Sequence, residues 1–552
     1  MKDNDTTKWT GSTYRRRFLA TIGTGTALGL AGCIAGDSQE SGSGGNASES
    51  ESGGDRSNGS GAGSNSSNAG GDLPSQSEGV KTWGKRINNY AKQADIDWKQ
   101  FEGTSLRMGM NSHPFTDATE PLLPFFEELT GITVRYDTYS EDDLWNKLTT
   151  QLSNKQSTYD GFFMGLWPSA QYYAAGYTQN LSAYWTDKAL TDQEWFHMED
   201  FTESAIDSYT YQDQLSAIPF GVEPYGCLAY DKPTFEQLGI SEPTDFEELE
   251  SAAKQISESS EVDRAGIGSR ASSTPLSTAN WASMFRSYGA DWINYANQEA
   301  QLNSQAGVAA LEKFATLMSQ YGPPDIGSFD WTRNIQTYGQ GQLGMVYVTA
   351  SVVGSIPAEQ RARTKWLPPL EGPDGDRVAA NWQWGLGISQ YSQNPKATWL
   401  LLQWLTSRPA QLVTSSPQWQ DAPFYGWARN NWLFDQEEFQ PGNLGENWQA
   451  TFNEGMSLVP SQPPAVPLDV PQNMDIMSQA ATAMNSAVTG TPAQQALDAV
   501  AEPISRIASQ IPDSYIAPYE GGGGMDSGTN GTSGNGTDSS NSSASADMSA
   551  LR

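Results

Sequence analysis

The feature that most limits the fold is a regular exchange of strand and helix signals between Ser105 and Gly176. Residues 105–110 are apolar and β-compatible, and Asn111-Ser112-His113-Pro114-Phe115 reads as the loop that follows. Pro121 opens a helix with Leu122, Leu123, Phe125, Phe126 and Leu129 on its buried side, and Gly131 closes it. Ile132, Val134 and Tyr136 alternate as a second strand. Ser140 with Asp143 reads as a capping box for a helix whose Leu144, Leu148 and Leu152 fall on one face. Residues 159–166 form a third strand, and Pro168 starts a helix that ends at Gly176. Repeated β-α units with right-handed crossovers give a parallel, doubly wound α/β sheet. Such sheets hold ligands beyond the carboxyl ends of their strands, here residues 111–115 and 165–167.

The stretch LSAIPFGVEPYGCLAYD, residues 215–231, divides the chain. An apolar run breaks at Pro219-Phe220-Gly221 and resumes as a second apolar segment at residues 226–230. Between the halves lies Glu223, beside Pro224 and Tyr225. This is the composition of a crossing between two lobes, with a carboxylate facing the cleft; a buried hairpin with its Glu in solvent is the competing reading. Beyond it the β/α pattern repeats. Thr244 and Glu247 cap a helix, residues 265–270 form a strand ending at Arg270, and residues 306–321 form a long helix before Gly322-Pro323-Pro324. Residues 331–338 are helical and residues 345–348 a buried strand. Trp382-Gln383-Trp384-Gly385-Leu386-Gly387-Ile388 reads as a second crossing, leading to a helix capped at Asn394-Pro395. The predicted organisation is a lobe of residues 103–221 and 386–430, and another of 222–385 and 431–515.

The termini carry an address. Tyr14-Arg15-Arg16-Arg17-Phe18-Leu19 has the twin-arginine form, and a diluted apolar run leads to Leu30-Ala31-Gly32-Cys33, which has the form of a lipobox. The run is too short to span a bilayer. Residues 1–32 are therefore expected to be a cleaved export signal, with Cys33 lipid-bearing at the outer face of the membrane. Residues 33–80 and 521–552 are Ser, Gly, Asn and acidic residues with little to bury, a tether and a polar tail. Both carry N-x-S/T sequons, at Asn46, Asn65, Asn530 and Asn535. Cys227, the remaining cysteine, is expected to be a small buried core residue.

The net charge is −32, from 64 acidic and 32 basic residues. Nucleic acid is excluded as a partner, since its phosphates need a basic face. Acids spread along the whole chain fit a protein working in concentrated salt, where repulsion is screened. The string Gly339-Gln340-Gly341-Gln342-Leu343-Gly344 matches a dinucleotide fingerprint but precedes a strand, the wrong context. There is no phosphate-binding P-loop, zinc-protease helix or nucleophile elbow, and two isolated His residues with one spare Cys do not make a transition-metal site. No cofactor and no metal are expected.

Several segments together resemble the extracellular solute-binding proteins of ABC importers, family 1, the class of maltose-, sugar- and polyol-binding lipoproteins. They are residues 105–149 (with LRMGMNSHPFTDATEPLLPFFEELTGITVRYDTY), 159–181, 217–230, 338–348 (YGQGQLGMVYV) and 385–407 (GLGISQYSQNPKATWLLLQWLTS). They occur in the family's order, across residues 105–511, behind a lipoprotein leader. The acidity and the long tails depart from the family's pattern and bear on habitat. The resemblance implies two α/β lobes hinged by crossing strands at residues 219–223 and 385–387, with the ligand between them. It implies no enzymatic activity, a carbohydrate or polyol ligand, membrane permease subunits as partners, and a monomer. Matched position by position, it places ligand contacts at Asn111, Ser112 and His113, at Trp167, at Glu223 with Tyr225, and at Thr349 and Ser351. Trp331, Trp382 and Trp384 would supply aromatic faces, and Arg270 stands at a strand end. His197, in an aromatic, acidic stretch, is read as structural.

These residue types suit sugar capture on their own chemistry. Hydroxyls need charged or amide partners, and the C–H faces of a sugar rest on aromatic rings. A secreted carbohydrate hydrolase is the alternative, since two carboxylates flanking a cleft suffice for that reaction.

Overall fold

The computed structural model describes residues 78–516, except 213, 416–425, 434, 437–441, 460–464 and 469. The export signal, Cys33, the sequons and the polar tail lie outside the described residues. Two sheets organise the rest. The first takes β1 (Ser105–Asn111), β2 (Thr133–Tyr139), β3 (Gly161–Gly165), β4 (Ile218–Tyr225) and, from later in the chain, β9 (Ala380–Ile388). The second takes β5 (Cys227–Asp231), β6 (Ala265–Gly268), β7 (Leu343–Val348) and β8 (Thr364–Leu367).

In the first sheet the order is β2-β1-β3-β9-β4. β1 runs parallel to β2 and β3, as the strand–helix alternation predicts. β9 is antiparallel to both β3 and β4, so the sheet is mixed. The second sheet has the order β8-β5-β7-β6, with β7 parallel to β6 and β5 antiparallel to its neighbours β7 and β8.

The break expected at residues 219–221 is a bulge and not an end: β4 is one fully buried strand through Pro219 and Pro224, but its register with β9 slips there, Trp384 standing opposite Gly221 and Gly385 opposite Pro219. It is the last strand of its sheet, and proline is tolerated there because a missing N–H costs no ladder bond on the outer side. That outer side is met by residues 426–428, through Val222 N–H to Gly426 O and Ala428 N–H to Phe220 O, both 3.3 Å. The chain changes sheets at Gly226, where φ is +91°. A Cβ added there would lie 2.5 Å from Ser283 Cβ, so both the conformation and the space call for glycine. β4 thus carries the first sheet to Tyr225, beyond the expected boundary at 221/222, and β9 re-enters it at Ala380, ahead of 386.

Other local expectations shift slightly. A helix, Glu78–Ala91, begins where the tether was expected to end. The loop after β1 is cut short by the helix Pro114–Thr119. The helix Leu166–Ala174 starts before Pro168, which places Trp167 in its first turn. In the helix Phe246–Glu258 the capping register is one residue later than read: Asp245 accepts from Glu248 N–H at 2.8 Å, and Glu248 accepts from Thr244 N–H at 2.8 Å. Ser140 does precede the helix Glu141–Ser153, but its hydroxyl donates to Asp143 at 2.7 Å and does not cap the backbone. Cys227 is buried and free, its thiol pushed up to about 12 by burial. His197 sits at φ 55° as the C-cap of the helix Gln193–Phe196, its Nδ1 2.7 Å from Glu199.

The helix Trp448–Ser457 touches both β4 and β8, and the helix Asn473–Val488 packs on Gln305–Tyr321 and reaches Leu166–Ala174. No helix among the described residues is long and apolar enough to cross a membrane.

Candidate binding cleft between the two sheets

The carboxyl ends of β1, β4, β6 and β7 meet around one cavity. From the first sheet come Asn111, the last residue of β1, then Ser112 and His113, Glu223 and Tyr225 on β4, and Trp384 on β9. From the second come Arg270, just past β6, and Val348, Thr349, Ser351, Val352 and Ser355 at and after the end of β7. Trp331 enters as the first residue of the helix Trp331–Gly339, whose N-cap is Asp330. The sheet rule explains this convergence: parallel strands aim their carboxyl ends the same way, and the loops that follow share one crevice.

Glu223 is the most enclosed charge in the cavity, 4 % exposed. Trp384 Nε1–H donates to its Oε1 at 2.7 Å, and Tyr225 and Ser351 also hydrogen-bond to it. Burial raises its carboxyl above the usual carboxylate range, while those bonds and the charge of Arg270 oppose the rise. Burial also pushes the Tyr225 hydroxyl well up. Arg270 is 5 % exposed and reaches across to Glu141 at 3.8 Å, an ion pair between the two sheets' elements. His113 Nδ1 accepts from Phe115 N–H at 3.1 Å, which puts the imidazole proton on Nε2. Burial lowers the His113 pKa to about 3, so the ring is neutral at ordinary pH. It packs against Phe163 and Trp384, each with ring centres 5.2 Å away. Thr349 and Ser351 share a 2.8 Å hydroxyl contact at the start of a short 3₁₀ turn, Ala350–Ser355.

Two of the residues singled out from sequence do not reach the cavity. Trp382 and Trp167 are each 1 % exposed and meet edge to face, ring centres 5.2 Å apart, with Trp145 behind Trp382 at 5.8 Å. Trp382 also meets Trp384 edge-on at 4.8 Å, so it supports the cavity wall from behind. Glu141 was missed by the sequence reading, although it was within reach of the same logic: it directly follows Ser140, just beyond the carboxyl end of β2.

The chain matches the profile of the bacterial extracellular solute-binding proteins over residues 113–412. It belongs to that family. This solute-binding protein is 27% identical over 336 residues to an erythritol/L-threitol-binding protein of Mycolicibacterium smegmatis, a match covering 57% of this chain and 69% of that one. To a mannitol-binding protein of Pseudomonas aeruginosa it is 23% identical over 301 residues, covering 51% of this chain and 64% of that one. Its fold is similar to that of a solute-binding protein of an ABC transporter from Agrobacterium radiobacter K84, solved with ribitol. The TM-score is 0.64 at 20% identity, over 74% of this chain and 99% of that one. A counterpart from Agrobacterium vitis S4, solved with D-mannitol, gives a TM-score of 0.64 at 22% identity over 74% and 100%. The fold is the two-lobed one of these proteins, and the protein is an extracellular solute-binding protein. It is a binding protein and not an enzyme, and the hydrolase alternative falls away.

Proposed function

We propose that this solute-binding protein captures a sugar, an oligosaccharide or a polyol between its two lobes and presents it to the permease subunits of its importer. It works as a monomer at the outer face of the cell membrane, exported through the twin-arginine pathway and held by a lipid on Cys33. The observation that carries the ligand class is Glu223, buried with Trp384, Tyr225, Ser351 and Arg270 around it, in a cavity that also presents Trp331. A carboxylate accepts hydrogen bonds from hydroxyls, a guanidinium donates to hydroxyl oxygens, and indole faces accept C–H surfaces. The relatives named above, two of them polyol-binding proteins and two solved with ribitol or mannitol, support the same class.

The test is calorimetric titration of the folded protein in molar salt against a panel of sugars and polyols, with released reducing ends measured in parallel. Saturable binding with no reducing ends is expected. Failure of every neutral sugar and polyol to bind would overturn the ligand class, and turnover would overturn the receptor.

A further inference from the structure

We propose a second binding site, for a short uncharged oligosaccharide, at the end of the first lobe remote from the cleft. A cavity of about 650 Å³ lies there, inside the range of roughly 300–1,000 Å³ that small-molecule sites occupy. Its walls come from the end of the helix Leu166–Ala174 and the loop after it, from Gln212 and Gln214 in a hairpin, from Gln390 just past β9, and from Pro512 to Tyr515. An antiparallel bridge between Thr178 and Ser389 ties the first of these to the third. Ser216, on the rim, leads into β4; at about 3.3 Å per strand residue it stands roughly 20 Å from Glu223, and no residue lines both cavities.

The lining chemistry names the ligand class. In a chain with 17% charged residues, the described residues of this wall include no carboxylate, ammonium or guanidinium. A charged ligand would give up hydration there with no opposite charge to replace it. The wall holds amides and hydroxyls instead, and several are unspent. Asn180 Oδ1 accepts from Ser182 N–H at 3.0 Å, which identifies that atom as the oxygen and leaves the NH₂ free. Gln179 Nε2 donates to Gln390 O at 3.2 Å with one hydrogen to spare. The Tyr173 hydroxyl donates to Gln212 Oε1 at 3.2 Å, and that NH₂ is free as well. The side-chain amides of Gln214 and Gln390 have no partner among the described residues, and Thr178 Oγ1 is buried without one. A buried oxygen left unpaired costs free energy that a bound hydroxyl would remove.

An oligosaccharide fits this set better than a peptide does. The free NH₂ groups are donors, and hydroxyl, ring and glycosidic oxygens all accept. Peptide N–H groups would need acceptors, yet the amide oxygens of Gln179, Asn180 and Gln212 each already hold a protein donor. Tyr173, stacked on Tyr211 with ring centres 5.0 Å apart, and Tyr515 add aromatic surface on which the C–H faces of a sugar can rest.

The experiment is calorimetry in molar salt with maltotriose, cellotriose, laminaritriose and tri-N-acetylchitotriose, and with trigalacturonate and an end-blocked Gly-Ser-Asn hexapeptide as contrasts. The proteins are the full-length wild type, Glu223→Gln, and the double variant Gln214→Ala with Gln390→Ala. Both glutamines are exposed, and the bonds made at Gln390 belong to its main chain, so the double variant should keep its fold, as circular dichroism will show. At least one neutral trisaccharide should show a binding event that Glu223→Gln leaves within twofold and the double variant weakens at least fivefold, two neutral hydrogen bonds being lost. Binding that fails in Glu223→Gln and survives in the double variant would place the sugar in the cleft, overturning this second site and leaving the role of the cleft intact. Tighter binding of trigalacturonate or of the peptide, or saturable binding by none of the four neutral sugars, would overturn it too.

Discussion

Replacing Glu223 by Gln separates the role of its charge from the role of its shape. Gln keeps an oxygen that can accept from Trp384 Nε1, whose bond to Glu223 Oε1 is 2.7 Å. It loses the negative charge facing Arg270 and turns an amide donor toward Tyr225 and Ser351. If the ligand's hydroxyls depend on that carboxylate, losing a charge-assisted bond costs about 1.5–3 kcal/mol, roughly ten- to hundredfold in affinity. Stability without ligand should respond in the opposite direction. Burial raises the Glu223 carboxyl above its unfolded value, so the native state binds the proton more tightly than the unfolded chain does. The stability this group contributes is fully present below about pH 4.5, its unfolded pKa, and is lost as pH rises through the raised folded value. Glu223→Gln removes that loss, so above that range its melting temperature should equal or exceed that of the wild type. Titration with the best-binding polyol, and melting without ligand at several pH values, read the two effects separately. Weaker binding with undiminished stability supports the reasoning. Unchanged affinity with a lower melting temperature would make Glu223 a structural carboxylate and remove it from the site.

Three further outcomes follow from other parts of the chain. Gly226→Ala should destabilise the protein by about 2–4 kcal/mol, since it adds left-handed strain to a Cβ contact 2.5 Å from Ser283 Cβ; an unchanged melting temperature would refute the glycine requirement at the crossing. Cys33→Ala should move the protein from the membrane fraction to the medium, and a variant still membrane-bound after a salt wash would rule out the lipid. A net charge of −32 should cost the protein its structure in dilute buffer, as carboxylates repel without screening; circular dichroism unchanged from molar to millimolar salt would contradict this.

How far the sequence reaches depends on whether a feature is local. The strand–helix order was legible because apolar spacing, prolines at helix starts and Gly131 at a C-cap (φ 72°) act over a few residues. Asn111, Ser112, His113, Arg270, Thr349 and Ser351 stand together in the structure because each lies at or just past the carboxyl end of a strand, which is itself a local property. What sequence could not give is a strand's neighbours. Pro219 and Pro224 look like breaks until β4 is known to be the last strand of its sheet. Nothing in the sequence says that β9, from much later in the chain, lies antiparallel between β3 and β4. The tryptophans show the same limit. Trp382 and Trp384 are two apart on one strand and chemically alike, yet only Trp384 reaches the cavity, because Trp145 and Trp167 cover Trp382. Such covering involves residues from separate helices, and no spacing rule within β9 reports it.

The central claim is that this protein grips its solute between two lobes and that binding draws them together. A ligand can favour the closed arrangement only by binding it better than the open one, which takes contacts to both sheets at once, such as Glu223 from the first and Arg270 from beyond the second. Small-angle scattering in molar salt, with and without a saturating amount of the polyol that calorimetry shows to bind, measures this directly. The account predicts a smaller radius of gyration with the ligand bound. An unchanged radius, at a concentration where calorimetry shows the site to be full, would contradict it.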